Sequence, residues 1–264
     1  MKVKGEGFTS KLGKQEAEAI LNHHRFTLNE LKAIIDACHT FVMSANITGQ
    51  DTDKEKQKII SLILGVRLLE ISGAALLVIE SGMSNEANTL FRVFLDAYFV
   101  FANVCTNPEF ITGYFKSDEA MRLKLMNSSK KHNSELFKKI NTYADEQLKT
   151  ELKQKITEEK IQTFNSYAYA ENVGCSEIYD CMYRLMSASL HTTPRSLQKY
   201  MKEDKHGNII EIKYHPTEDD IPQRIYDFAY FLIKILSGLK EIFGELNAEE
   251  IEAMTRRLEQ SVIR

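Results

Sequence analysis

Apolar and polar positions alternate along most of this chain at intervals of three and four residues, the spacing of helices with one buried face. From Lys14 to about Ala45 the residues Ala17, Leu21, Leu28, Leu31, Ile34, Cys38 and Phe41 keep that spacing and predict a first helix. A polar loop over 46–53 follows, in which Thr52 or Asp53 can accept from the free amides of a helix beginning near Lys54 and reaching Ile79. This second helix is so apolar that a membrane span must be considered. Arg67 and Glu70 divide it into runs well short of the ~20 residues a span needs, so a buried core helix and no membrane contact are expected. Gly82 supplies a stop, Ser84 a start, and the most apolar helix runs from Glu86 to about Thr106. So short a turn makes these two helices antiparallel neighbours.

The rest of the chain is less uniform. Residues 1–13 lack periodicity and are expected to form a loose arm. Beyond Pro108 the helices become more charged, and the run from Ser134 to about Gln162 carries a narrow apolar stripe of Leu136, Ile140, Tyr143, Leu148, Leu152 and Ile156, as an outer arm would. Lys130, Lys131, His132, Lys138 and Lys139 there suggest a basic patch, but the intervening glutamates favour a solvated face. Ser176 caps a helix that ends at Thr192-Thr193-Pro194, because a residue before proline is pushed out of helical conformation. Between 202 and 216 the alternation Ile209-Ile210-Glu211-Ile212-Lys213-Tyr214 after a His206-Gly207-Asn208 turn reads as a small β-hairpin insertion. Two helices over 219–264 close the chain, the second capped by Asn247. The expectation is one all-α domain over 1–264, a multi-helix bundle around a central antiparallel apolar helix pair.

Composition narrows the class. With 43% hydrophobic and 27% charged residues, 4 prolines and 12 glycines, the chain can bury a core in long helices. A net charge of −3 argues against a uniformly basic nucleic-acid coat. Cys38, Cys105, Cys175 and Cys181 have no paired spacing, and His23, His24 and His39 ride a helix without converging ligands, so neither disulfide nor metal is expected. No apolar leader follows Met1, which points to the cytoplasm.

Two groups of residues carry chemistry. Counted from the turn at Met83, Glu70 and Asp96 are level and Arg92 lies near Gly73, Ala74 and Ala75, so Arg67, Glu70, Arg92 and Asp96 are expected to form a charged cluster inside the apolar hairpin. It serves either as a register-fixing ion network or as a polar floor beneath a site. The second group is Tyr183 to His191. Seven helical residues turn through about 700°, so Arg184 and His191 share a stripe with Ser187 between them. A cation, a hydroxyl and an imidazole on one stripe can hold a phosphodiester and move its protons; alternatively Arg184 pairs with a carboxylate and His191 caps its helix.

Arg184, six residues and His191 at the end of a helix resemble the Arg-x4-6-His motif of the HEPN superfamily of prokaryotic ribonucleases and toxins, with Leu185 where a polar residue usually follows the arginine. Residues 54–200 are also similar to a bacterial family of unknown function, domain family fifty-six seventy-seven, in which Gly82, Glu86-Ala87, Leu90, Arg92 and an acid at Asp96 precede Tyr183, Ser187 and His191. The resemblance implies a metal-independent endoribonuclease in a toxin or phage-defence setting, with no cofactor. His191 would be general base on a ribose 2′-hydroxyl and Arg184 would neutralise the phosphate. A homodimer follows, His191 of two copies facing across a two-fold axis to supply base and acid. The alternative is a non-enzymatic helical module for a protein or nucleotide partner, such as an antitoxin or another defence-system protein.

Overall fold

The computed structural model describes residues 2–50, 52–130, 135, 146–244 and 248–263. Among the described residues the fold is mostly helical, with one small three-stranded sheet. Helices α1 (Lys11–His23), α2 (Arg25–Ser44), α3 (Asp53–Glu80), α4 (Ser84–Thr106) and α5 (Phe110–Lys130) follow the strand β1 (Lys2–Lys4). Then come α6 (Glu146–Glu158), α7 (Ser166–Asn172), α8 (Ser176–Ile178), a π-helical turn Tyr179–Tyr183, α9 (Arg184–Leu190) and α10 (Pro194–Leu197). Strands β2 (Met201–Glu203) and β3 (Ile209–Lys213) lead to α11 (Ile221–Phe243) and α12 (Ala248–Ile263).

Local chemistry fixes the helix ends. The Ser10 hydroxyl accepts from the Gly13 amide at 2.9 Å, and Thr52 accepts from Glu55 at 3.2 Å, each satisfying a donor that the first helical turn leaves free. The single first helix expected over 14–45 is instead two. His24 adopts φ −111° and ψ 16° between α1 and α2, and its Nε2 lies 2.6 Å from Glu218 Oε1, a long-range contact that local periodicity does not encode. Gly82 takes φ +69° at the α3–α4 turn, the left-handed conformation glycine adopts without a Cβ clash.

α3 and α4 lie antiparallel, as their short turn requires, and α11 fills the space between α2 and α4. Phe91 and Phe94 of α4 meet Phe228 of α11 edge-on at 5.1 and 5.2 Å between ring centres, and Tyr98 meets Phe231 at 4.8 Å. Ile221, Ile225, Leu232 and Leu239 of α11 are fully buried in the same core. α3 and α4 are long and apolar enough, by length and composition, to cross a membrane; here they pack against each other, and 39% and 44% of their most apolar stretches are buried.

α5 and α6 form an outer arm with its own small contact of Met126, Leu148 and Leu152, laced by Lys155–Glu119 at 2.6 Å and Lys116–Glu159 at 2.7 Å. Leu136, Ile140, Tyr143 and the basic residues Lys131, His132, Lys138 and Lys139 lie outside the described residues, as does Asn247. The hairpin forms as expected, β2 antiparallel to β3. The arm over 1–13 is not loose throughout: β1 adds to the other edge of β3 in parallel register, Val3 opposite Ile212, and the Gly7 amide donates to the Tyr214 carbonyl at 3.0 Å. Strand pairing between segments two hundred residues apart leaves no local signature in so short a piece.

Candidate functional site

α4 buries one face in the core and turns another toward α7, the π-turn and α9. Phe91, Phe94, Leu95 and Tyr98 take the first face. Arg92 and Asp96, one turn apart, take the second and pair at 2.7 Å. Around them three more side chains close a network. Arg92 donates through Nη2 to the Tyr183 hydroxyl at 2.5 Å and through Nε to Ser187 Oγ at 3.3 Å, while its guanidinium lies 4.6 Å from the Tyr183 ring centre. The Tyr183 and Ser166 hydroxyls both donate to Asp96 Oδ1, at 2.9 and 2.6 Å, and Ser187 Oγ donates to the Tyr183 carbonyl at 2.9 Å.

The Tyr183 phenol is held above its ordinary range, first by burial and then by the Asp96 carboxylate, with Ser166 and Arg92 pulling the other way. It stays protonated at neutral pH and donates to the Asp96 carboxylate. The π-turn sets this geometry: the Arg184 amide bonds back to the Tyr179 carbonyl, and Tyr179 and Tyr183 stack at 4.6 Å and 16°.

Of the residues singled out in the sequence, Arg92, Asp96, Tyr183 and Ser187 therefore meet. Arg67 and Glu70 do not join them. They pair with each other at 3.5 Å on the outward face of α3, where their side chains are 57% and 65% exposed. The expected cluster of four charges is corrected on that point, and Arg92 finds its partners in Asp96, Tyr183 and Ser187 rather than on α3. Counting from a turn fixes the level of a residue along its helix but not the azimuth it faces.

Arg184 and His191 stand at the two ends of α9, both exposed. Arg184 Nε lies 3.1 Å from Asp180 Oδ1, a solvent-facing pair of the kind that contributes little and opens easily, with the guanidinium 5.8 Å from the Tyr179 ring centre. His191 closes α9 in extended conformation, φ −99° and ψ 132°; its carbonyl accepts from Thr193 and Ser196. Its imidazole has no hydrogen-bond partner among the described residues.

Sequence reasoning missed Ser166, a serine in a tyrosine-rich stretch with nothing local to mark it. It also missed a second polar group under α9. Asn88 and Lys199 both donate to Asp220 Oδ2, at 2.9 and 2.7 Å, and Arg224 pairs with Asp227 at 2.7 Å beneath the Phe91 ring. Burial raises the Asp220 carboxyl, but the Lys199 and Asn88 hydrogen bonds outweigh it and hold the group below its ordinary range. Beside the α3–α4 turn a cavity of about 300 Å³ is lined by Ser84, Asn85, Lys199, Tyr200, Lys213 and Tyr214 among others, and α9 does not reach it. Among the described residues no cluster of His, Cys, Asp and Glu is arranged to hold a metal ion.

Residues 57–209 match the family of unknown function DUF5677, more than half of the chain, and the chain belongs to that family. No curated protein and no solved structure matches it.

Proposed function

We propose that α9 carries a metal-independent endoribonuclease site of the HEPN type, acting on single-stranded RNA in the cytoplasm in a toxin or phage-defence setting. The observation that carries this reading is the display of Arg184 and His191, both exposed, at opposite ends of one short helix whose middle is tethered by Arg92 through Ser187. Seven residues span about 10 Å along a helix axis, a distance a phosphate and its ribose can bridge.

In this scheme the neutral His191 ring takes the proton of a ribose 2′-hydroxyl. The 2′-oxygen bonds to phosphorus while the bond to the 5′-oxygen breaks, and that oxygen takes a proton from the surrounding solvent. Arg184 leaves Asp180 and grips two phosphate oxygens as their charge grows. The products carry a 2′,3′-cyclic phosphate and a 5′-hydroxyl.

The test is incubation of purified protein with single-stranded RNA in the presence of a chelator. Wild-type protein should nick the RNA, and His191→Ala should not, with its circular dichroism unchanged. A cap at a helix end contributes about 1 kcal/mol or less, so loss of activity could not be ascribed to unfolding. Arg184→Lys should also fail, because lysine keeps the charge and loses the planar fork. RNA left intact in every buffer, or cleavage surviving His191→Ala, favours the second reading, a non-enzymatic binding module for a protein or nucleotide partner.

A further inference from the structure

The face of α3 that turns away from the bundle is apolar where a solvent face is ordinarily polar. Ile63 is 58% exposed, Val66 44% and Leu77 67%. With Ile59, Glu70 and Gly73 they follow one another at steps of four, three, four, three and four, the seam spacing of a helix that lies along a second helix. The seam reads the same in both directions. About Leu68 as centre, Ile59 mirrors Leu77, Ile63 mirrors Gly73 and Val66 mirrors Glu70.

We propose that α3 packs against α3 of a second copy of this chain, antiparallel, about a two-fold axis that crosses its outward face level with Leu68, between Val66 and Glu70. The two most exposed large apolar side chains of the seam, Ile63 and Leu77, then each meet a space. A Cβ built at Gly73 has nothing within 4 Å, which leaves a notch for Ile63 of the second copy. A hollow of about 380 Å³ lined by Ile59, Ile60, Ile111 and Phe115 receives Leu77 of the second copy. Charge selects the direction. Antiparallel packing brings each Arg67 beside Glu70 of the other copy, exchanging a 3.5 Å pair within one exposed helix for two pairs across the axis. Parallel packing would set Arg67 against Arg67 and Ile63 against Ile63.

A lipid surface fits this face less well. Arg67 and Glu70 interrupt the seam at its middle, and a second copy neutralises each of them where hydrocarbon does not. The seam from Ile59 to Leu77 is about 27 Å long and one helix wide, so it buries less than the roughly 800 Å² per partner of a standard interface, and a weak, reversible dimer is expected. The two-fold on α3 leaves α9 of each copy open, so the proposal does not depend on the RNA reading.

Sedimentation velocity on the full chain across low to tens of micromolar tests it. The wild type should show a reversible dimer. Ile63→Glu, placed on an exposed position, should leave the melting curve unchanged and weaken association about tenfold or more, as a charge aimed into a dry notch requires. Arg67→Glu and Glu70→Arg should each weaken it through like-charge contact, and the two together should restore it. Wild-type protein that stays monomeric, a dimer indifferent to Ile63→Glu, or a charge reversal without rescue overturns the proposal. So does flotation of monomeric protein with neutral phosphatidylcholine vesicles.

Discussion

Replacing Arg92 with methionine removes, in one substitution, the ion pair to Asp96, the hydrogen bond to Tyr183 and the hydrogen bond to Ser187, while keeping an unbranched stem of similar length against the Tyr183 ring. The magnitude follows from burial. A fully buried pair that loses one partner costs about 3–5 kcal/mol, whereas an exposed pair is worth about 0–1 kcal/mol. Arg92 and Asp96 are 21% and 24% exposed, close to the buried end, and Asp96 keeps its two hydroxyl donors when the arginine leaves. A loss of about 2–3 kcal/mol is expected, which for a chain of this size lowers the melting temperature by about 4–12 °C. Arg67→Met is the control: its pair is more than half exposed and worth at most about 1 kcal/mol, so its melt should move by no more than about 4 °C. Thermal unfolding followed by far-ultraviolet circular dichroism reads both. If Arg92→Met melts with the wild type, or no lower than Arg67→Met, the network does not hold α4 to α9.

Two further outcomes are expected. Cys181 is exposed, while burial pushes the Cys38 and Cys105 thiols up to about 12, so an alkylating reagent at neutral pH should label Cys181 first and reach Cys38 and Cys105 only on unfolding, as peptide mass spectrometry can read. The Asp220 carboxyl sits below its unfolded value, so its contribution to stability is complete above about pH 4 and is lost as pH falls through the folded value. Melting of Asp220→Asn beside the wild type should show a gap at neutral pH that closes on acidification; a constant gap would refute the assignment.

The helices of this fold were largely legible because periodicity and caps are local. Thr52, Gly82 and the apolar runs on either side place α3 and α4 within a residue or two, and the turn length makes them antiparallel. The azimuth of a residue was not legible where the helix is apolar all round. α3 offers no polar face to orient it, so Glu70 could be placed beside Asp96 in the sequence and yet lie outward in the fold. Ser166 and β1 escaped for a related reason: each is defined by a partner distant in the chain, Asp96 for the serine and β3 for the strand. The π-turn is local, the Arg184 amide reaching the Tyr179 carbonyl five residues back, but it departs from the 3.6 period on which helical spacing is read.

α4 is where the two scales of this protein meet. Arg92, Asp96, Ser166, Tyr183 and Ser187 all fall within the 57–209 family match, whereas α11, which supplies Phe228 and Phe231 to the core, falls outside it. The match therefore spans the polar network and its flanking helices and leaves out part of the packed core. On α4 itself the two sets of residues differ by one position, Phe91 against Arg92 and Leu95 against Asp96, and successive residues on a helix point about 100° apart. That separation lets the network side be altered without opening a cavity among the phenylalanines. Arg92 should consequently report on how α9 is held, and His191, at the free end of α9, on what α9 does.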